Sequence, residues 1–206
     1  MTHSAQTTPA AARLVLVGPQ GSGKGTQAAR IADRYGIAAI STGDVFRANI
    51  KDDTELGRQV KEVIDAGELV SDALTFDVVR DRLAQPDAAS GFLLDGFPRN
   101  VAQLGMLDTY LADRDEPLTA VLELGVPREV SVDRLMRRAF EQGRTDDTEE
   151  VIANRLAIYE SETAPILEVY RDRGLVDSID GVGSLDEVTE RVMDALEARG
   201  IVAVSV

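Results

Sequence analysis

Short apolar runs and helical stripes take turns along this chain. Leu14 to Val17 is continuously apolar, the pattern of a strand covered on both faces. A helical pattern follows from Gly23 to Tyr35, with Gly36 placed as a left-handed cap. Ile37 to Ile40 predicts a second strand, which runs into Ser41-Thr42-Gly43-Asp44 and the start of another helix. Residues 43–50 and 54–66 read as two amphipathic helices stopped by Gly67, and Ser71 is placed to cap a helix over 72–85. Pro86 to Ser90 reads as a loop, and Gly91 to Asp95 as a buried strand ending in a carboxylate. Asn100 is placed to cap a helix reaching about Arg114, Thr119 to Leu124 is a fourth strand, and Pro127 starts a helix to about Phe140. After a polar turn, Glu141 to Asp147, the spacing predicts one long helix over 148–173, kinked at Pro165. Val176 to Ile179 is the fifth strand, and Ser184 with Glu187 forms a capping box for a last helix over 184–199. The tail Ile201 to Val206 is apolar.

Strands that alternate with helices predict an α/β fold, a five-stranded parallel sheet with helices on both faces. Ligands of such sheets sit beyond the carboxyl ends of the strands, so the segments after Val17, Ile40 and Leu94 should converge. Segment 42–71 returns to the sheet without a strand of its own and reads as a small helical insert. The expectation is one domain over residues 13–206, preceded by a disordered leader, 1–12, that lacks the basic and apolar blocks of a signal peptide.

Charge narrows the chemistry. The formal net charge of −14 argues against general nucleic-acid binding, because a polyanion is repelled. There is no Cys, which removes disulfides and thiolate zinc sites and is compatible with a cytoplasmic location. No apolar run approaches the ~20 residues of a membrane span. The one histidine, His3, lies in the leader, so histidine acid–base chemistry is set aside. Of the 22 basic residues all but Lys24, Lys51 and Lys61 are Arg, which suits bidentate binding of phosphate.

Between the first strand and its helix stands Gly18-Pro19-Gln20-Gly21-Ser22-Gly23-Lys24-Gly25-Thr26. Gly18, Gly23 and Lys24 have GxxxxGK spacing in strand–loop–helix context, the signature of a phosphate-binding loop. Glycines let consecutive N–H groups turn inward, the helix start adds its positive dipole end, and Lys24 reaches the outer phosphates. Gly25 occupies the position after Lys24 where the common pattern has Ser or Thr, and Thr26 follows. Asp95, at the end of a buried strand, is the usual second half of such a site and orients Mg²⁺ through water.

With these residues the chain resembles the adenylate kinase family in its short-lid form. The matching pieces are GPQGSGKGTQ at 18–27, STGDVFR at 41–47, DGFPRNVAQ at 95–103, DRLMRR at 133–138, GRTDD at 143–147 and NRLAIYE at 154–160. The resemblance implies a P-loop NTPase-type core, an insert over 42–71 that binds the nucleoside monophosphate, and a short lid over 138–147. It implies transfer of a phosphoryl group from Mg-ATP to AMP, giving two ADP. Gly21, Ser22, Gly23, Lys24, Gly25, Thr26, Arg134, Arg138 and Gly183 would meet ATP. Thr42, Arg47, Glu68, Val70, Gly96, Arg99, Gln103, Arg144 and Arg155 would meet AMP. Lys24, Arg99, Arg134, Arg138, Arg144 and Arg155 would surround the group in flight, with Asp146 and Asp147 at the lid's end and a cis peptide bond at Phe97–Pro98. The partners implied are ATP, AMP and ADP, with no nucleic acid and no membrane, and the expected state is a monomer. The acceptor is a phosphate oxygen already ionised at neutral pH, so cations and alignment matter more than a strong base.

Three positions depart from the family pattern. Ser71 stands where many relatives have Pro, Val45-Phe46 replaces a Met-Leu or Leu-Leu pair, and only four residues separate Arg138 from Gly143. That short stretch, without Cys, excludes a zinc-bearing lid. A UMP/CMP kinase shares the fold but usually has Ala and Asn at the positions of Thr42 and Gln103, although Asn100 is shared with it. A non-catalytic nucleotide-binding protein would be expected to have lost Lys24 or one of the arginines, and a nucleic-acid-linked ATPase conflicts with the charge.

Overall fold

The computed structural model describes residues 11–142 and 148–203. In chain order the elements are β1 (Ala12–Val17), α1 (Lys24–Tyr35), β2 (Ala38–Ser41), α2 (Thr42–Lys51), α3 (Glu55–Asp65), α4 (Asp72–Leu83), β3 (Gly91–Asp95), α5 (Val101–Ala112), β4 (Ala120–Gly125), α6 (Arg128–Gln142), α7 (Glu149–Ile158), α8 (Ala164–Asp172), β5 (Val176–Asp180) and α9 (Leu185–Ala198). The strands form one sheet in the order β2-β3-β1-β4-β5, every pair parallel. This is the five-stranded parallel α/β sheet that the pattern predicts, of the P-loop NTPase type that the resemblance implies.

Strand β1 shows why its apolar run is unbroken. It lies in the middle of the sheet, and alternate side chains enter opposite layers. Leu14 and Leu16 pack with Ile31 of α1 and Val188, Val192 and Leu196 of α9. Val15 and Val17 pack on the other face with Val79 of α4, Leu107 of α5 and Ile166 and Tyr170 of α8. The register sets the carboxyl ends level: Asp95 pairs with Leu16 on one side and Ser41 on the other. The ends of β1, β2 and β3 therefore open onto one place.

Several local expectations hold at the residues named. Gly36 has φ 62 and caps α1. The Asn100 side chain accepts from the Gln103 N–H at the start of α5, and Ser184 and Glu187 complete the capping box of α9. Others need correction. β1 begins at Ala12, one residue inside the expected leader. Ser71 stands at the N-cap of α4 but its hydroxyl makes no cap bond. The helix expected over 148–173 is interrupted by a π-helical turn, Tyr159–Thr163, just before Pro165. Proline has no N–H to give and its ring crowds the preceding turn, so the chain widens there. α6 continues to Gln142. Gly143, Arg144, Asp146 and Asp147, with most of the leader and the last three residues, lie outside the described residues. Among those described, no helix is long and apolar enough to cross a membrane.

The insert is a tight helical corner. Thr54 caps α3 by accepting from the Gly57 N–H and donates to Asn49 Oδ1 at 2.7 Å, which draws α2 against α3. A Cβ on Gly57 would lie 2.1 Å from the Asn49 carbonyl oxygen, a contact with rigid backbone. Gly57→Ala is therefore expected to destabilise the chain by about 1–3 kcal/mol through overpacking, despite the ~1 kcal/mol that Ala gains in helix propensity. A lower urea midpoint at unchanged slope is the expected reading; an unchanged midpoint would mean that the two helices have room.

Candidate active site

Beyond the carboxyl ends of β1, β2 and β3 lies a cleft of about 510 Å³. Its floor is the glycine loop. Gly21 has φ 82, and a Cβ there would lie 2.5 Å from the Ser131 carbonyl oxygen of α6, so both conformation and space require glycine. Gly23 stands at the N-cap of α1 and offers no side chain to the first turn, which also holds no acidic residue. The free N–H groups of that turn and the positive end of the helix dipole are left for an anion.

Lys24 leans back over the loop, with Nζ donating to the Gly18 carbonyl at 2.6 Å and the Pro19 carbonyl at 2.8 Å. Crowding by protein atoms lowers its pKa to about 8, against the pull of Asp95, and Arg99 and Arg138 push in the same direction as burial. Asp95 is raised, first by burial, with Lys24 and Arg99 opposing. Arg99 is lowered by burial, with Asp95 opposing and Arg155 and Arg47 adding to the fall. These shifts describe one crowded ionic cluster. Six cations line the cleft, Lys24, Arg47, Arg99, Arg134, Arg138 and Arg155, against three carboxylates, Asp44, Glu68 and Asp95. In a chain of net charge −14 this local excess marks where an anion is welcome.

The cations come from several elements, with Arg134 and Arg138 both on α6. Arg134 lies along the loop, its nearest contact a bond of 3.1 Å to the Gly181 carbonyl after β5. Arg155 of α7 reaches the Ile64 carbonyl at 3.2 Å, and its neighbour Asn154 donates to the Ala66 carbonyl and to Glu68. These bonds dock the insert against α7. Arg47 is paired with Asp44 at 2.6 Å. Arg99 is held at three points: its N–H donates to Gln103 Oε1, its carbonyl accepts from the Thr163 hydroxyl, and its Nε donates to the Gly96 carbonyl, each at 2.8 Å. Thr42 donates to the same Gly96 carbonyl at 2.9 Å, and the Phe97–Pro98 bond that follows is cis.

Not every residue singled out in the sequence lines the cleft. Gly21, Gly23, Lys24, Gly25, Thr26, Arg47, Glu68, Asp95, Gly96, Arg99, Arg134, Arg138 and Arg155 do. Ser22, Thr42 and Gln103 are buried behind the wall, at 1%, 2% and 1% exposure. Val70 and Gly183 lie off the cleft, and Gly183 sits beside Glu187 and Arg191. Asp44, Ile64 and Leu135 line it without having been given a role. Leu135 had a signal, since it lies beside Arg134 on the same helix. Thr163 and Asp72, which hold Arg99 and Gln103, had none.

An anion seat at a helix start that shares one cleft with five arginines suits a protein that passes a phosphoryl group between two phosphorylated molecules. The fold and cleft define a P-loop phosphotransferase. The profile of the family described as adenylate kinase matches residues 16–175. The chain is 57% identical to an adenylate kinase of Kocuria rhizophila over 185 residues, 90% of this chain and 98% of that relative. It is 55% identical to one of Leifsonia xyli over 91% of this chain and 94% of the relative, and 53% identical to one of Bifidobacterium longum over 90% and 100%. The chain belongs to the adenylate kinase family, and it is a nucleoside monophosphate kinase that phosphorylates AMP.

Proposed function

We propose that the cleft holds ATP and AMP end to end and that its residues divide the reversible transfer between them, two ADP being the products. The observation that carries this division is the pairing of the uncapped α1 start and Lys24 with Arg99 and Arg47 across Asp95. On the donor side the loop N–H groups from Gly21 to Thr26, with Lys24, take the β- and γ-phosphates, and Arg134, Arg138 and Gly183 border the rest of ATP. On the acceptor side Arg47 and Arg99 take the AMP phosphate, while Thr42, Glu68, Val70, Gly96 and Gln103 border its sugar and base. Arg155, and Arg144 from outside the described residues, neutralise the group in flight. Because Thr42 and Gln103 are buried, the insert must shift for a base to reach them. Segments 42–71 and 138–147 act as the two closing parts around a single kinase domain, and closure keeps water from the phosphoryl group.

The donor set around Asp95 fits Mg²⁺. Of the three carboxylates in the cleft, Asp44 is paired with Arg47 and Glu68 accepts from Asn154, while Asp95 shares the cleft with the Thr26 hydroxyl; Gly25 leaves the space between Asp95 and the loop open, and no cluster of three or more His, Cys, Asp or Glu side chains forms among the described residues. So sparse a protein contribution suits a cation that keeps its waters and takes phosphate oxygens. Asp95 would hold it through water, and when bound it supplies charge neutralisation between the β- and γ-phosphates. Lys24 and the loop orient the donor, Arg99 aligns the acceptor oxygen, and no side chain needs to remove a proton. We take the enzyme to be a monomer in the cytoplasm, without zinc.

The test is the choice of acceptor. ADP formation with AMP should exceed that with CMP or UMP by ~10²-fold or more in kcat/KM, since a base that leaves buried polar groups unpaired is rejected strongly. Gln103→Ala should shrink that preference with little change in the KM for ATP. Equal use of CMP or UMP would overturn the placing of Thr42 and Gln103 at the base. Asn100, the residue shared with UMP/CMP kinases, is accounted for here as the cap of α5 and a partner of Asp72.

A further inference from the structure

The Gln103 amide is held at both ends. Its Oε1 accepts from the Arg99 N–H at 2.8 Å, and its Nε2 donates to Asp72 Oδ1 at 2.8 Å. A backbone N–H can only donate and a carboxylate can only accept. The reverse orientation of the amide would set donor against donor at Arg99 and acceptor against acceptor at Asp72. The same Asp72 oxygen also accepts from Asn100 Nδ2 at 2.9 Å, and Asn100 Oδ1 accepts from the Gln103 N–H at 2.8 Å. The orientation of the Gln103 amide is thus set from both ends, by the Arg99 N–H at Oε1 and by Asp72 at Nε2, and Asp72 is the one side chain in the group that accepts twice.

We propose that Asp72 is a specificity-determining residue, which fixes the orientation of the Gln103 amide so that it takes a 6-aminopurine and rejects a 6-oxopurine. A primary amide has two acceptor and two donor positions, and the contacts above use one of each. The remaining lone pair on Oε1 and N–H on Nε2 match the 6-amino donor and N1 acceptor of adenine. Hypoxanthine and guanine present the inverse, a 6-oxo acceptor beside an N1–H donor. A freely turning amide serves both classes by a flip, whereas a fixed one serves only the first. The inference rests on the reading that Gln103 meets the base.

The experiment measures kcat/KM for AMP and for IMP, with ATP as donor, in the parent chain, Asp72→Leu, Asp72→Asn and Gln103→Ala. Asp72→Leu removes the acceptor, and the AMP:IMP ratio is expected to fall about tenfold or more while the KM for ATP stays unchanged. Asp72→Asn loses the charge at the start of α4 but keeps an oxygen, which Asn100 Nδ2 holds in place, and the ratio should stay within about threefold of the parent. Asp72→Ala replaces Asp72→Leu if the leucine prevents folding. A ratio unchanged in Asp72→Leu, or AMP and IMP weakened equally, overturns the proposal while Gln103→Ala still collapses the ratio. A ratio unmoved in Gln103→Ala overturns the reading of Gln103 itself and the proposal with it.

Discussion

Lys24→Met is expected to lower kcat for ADP formation by about 10²–10³-fold while leaving the chain folded and no less heat-stable than the parent. The first half follows from position. Lys24 is the one ammonium on the loop, and removing a preorganised charge aimed at developing negative charge costs ~3–4 kcal/mol of the barrier. The second half follows from its environment. The ammonium still meets the cleft on one side, but protein atoms crowd it enough to lower its pKa to about 8. In the unfolded chain a lysine titrates near ~10.4. Between those values the unfolded chain binds more protons, so stability rises with pH across that window. Below about pH 8 both states are protonated, and the full cost of holding the charge in the fold is present. The methionine has no such cost, and water in the cleft can replace it at the Gly18 and Pro19 carbonyls. Its advantage in thermal unfolding should therefore be greatest below pH 8 and shrink towards pH 10, against the about 8 of the folded lysine. Turnover within about tenfold of the parent would overturn the assignment of this loop to phosphoryl transfer.

That prediction draws on residues legible without a structure. The loop could be read because its chemistry is local: glycine spacing, one lysine, an apolar run before and a helical stripe after. The same holds for Gly36 after α1, for the Ser184–Glu187 box and for Asn100, where one or two residues set the backbone beside them. The sheet was legible because β1 is buried on both faces, which an unbroken Leu-Val-Leu-Val run reports directly. What escaped were contacts between distant residues. Thr163 reaches the Arg99 carbonyl across 64 positions and Asp72 reaches Gln103 across 31. Nothing near Asp72 distinguishes it from an ordinary acidic residue opening a helix. The interruption at Tyr159–Thr163 was half legible. Pro165 announced a break, but whether a helix bends or widens depends on its packing, and here the widened turn carries Thr163 to Arg99.

The side-chain hold on Arg99, Nε on the Gly96 carbonyl, makes Arg99→Lys the second large effect, a loss of ~10²-fold or more in kcat/KM for AMP with the KM for ATP unchanged. The guanidinium spends Nε on the Gly96 carbonyl, and its two terminal nitrogens remain to form a bidentate pair with a phosphate. A lysine has one nitrogen and cannot fill both tasks: reaching the phosphate leaves the Gly96 carbonyl without this donor, and keeping Gly96 leaves the phosphate unclamped. Charge compounds the geometry. Burial, with Arg155 and Arg47 nearby, pushes the Arg99 pKa down, with Asp95 opposing. A guanidinium starts high enough to stay charged under that pressure, whereas an ammonium starting near ~10.4 is driven towards its neutral form. The lysine variant should therefore lose more as pH rises from about 6.5 to 9, because the fraction carrying charge falls while the parent keeps its own. The measurement is kcat/KM for AMP in both chains across that range, with ATP saturating. A pH-independent deficit would place the whole loss in the missing fork, and a deficit of less than about tenfold would remove Arg99 from the acceptor clamp.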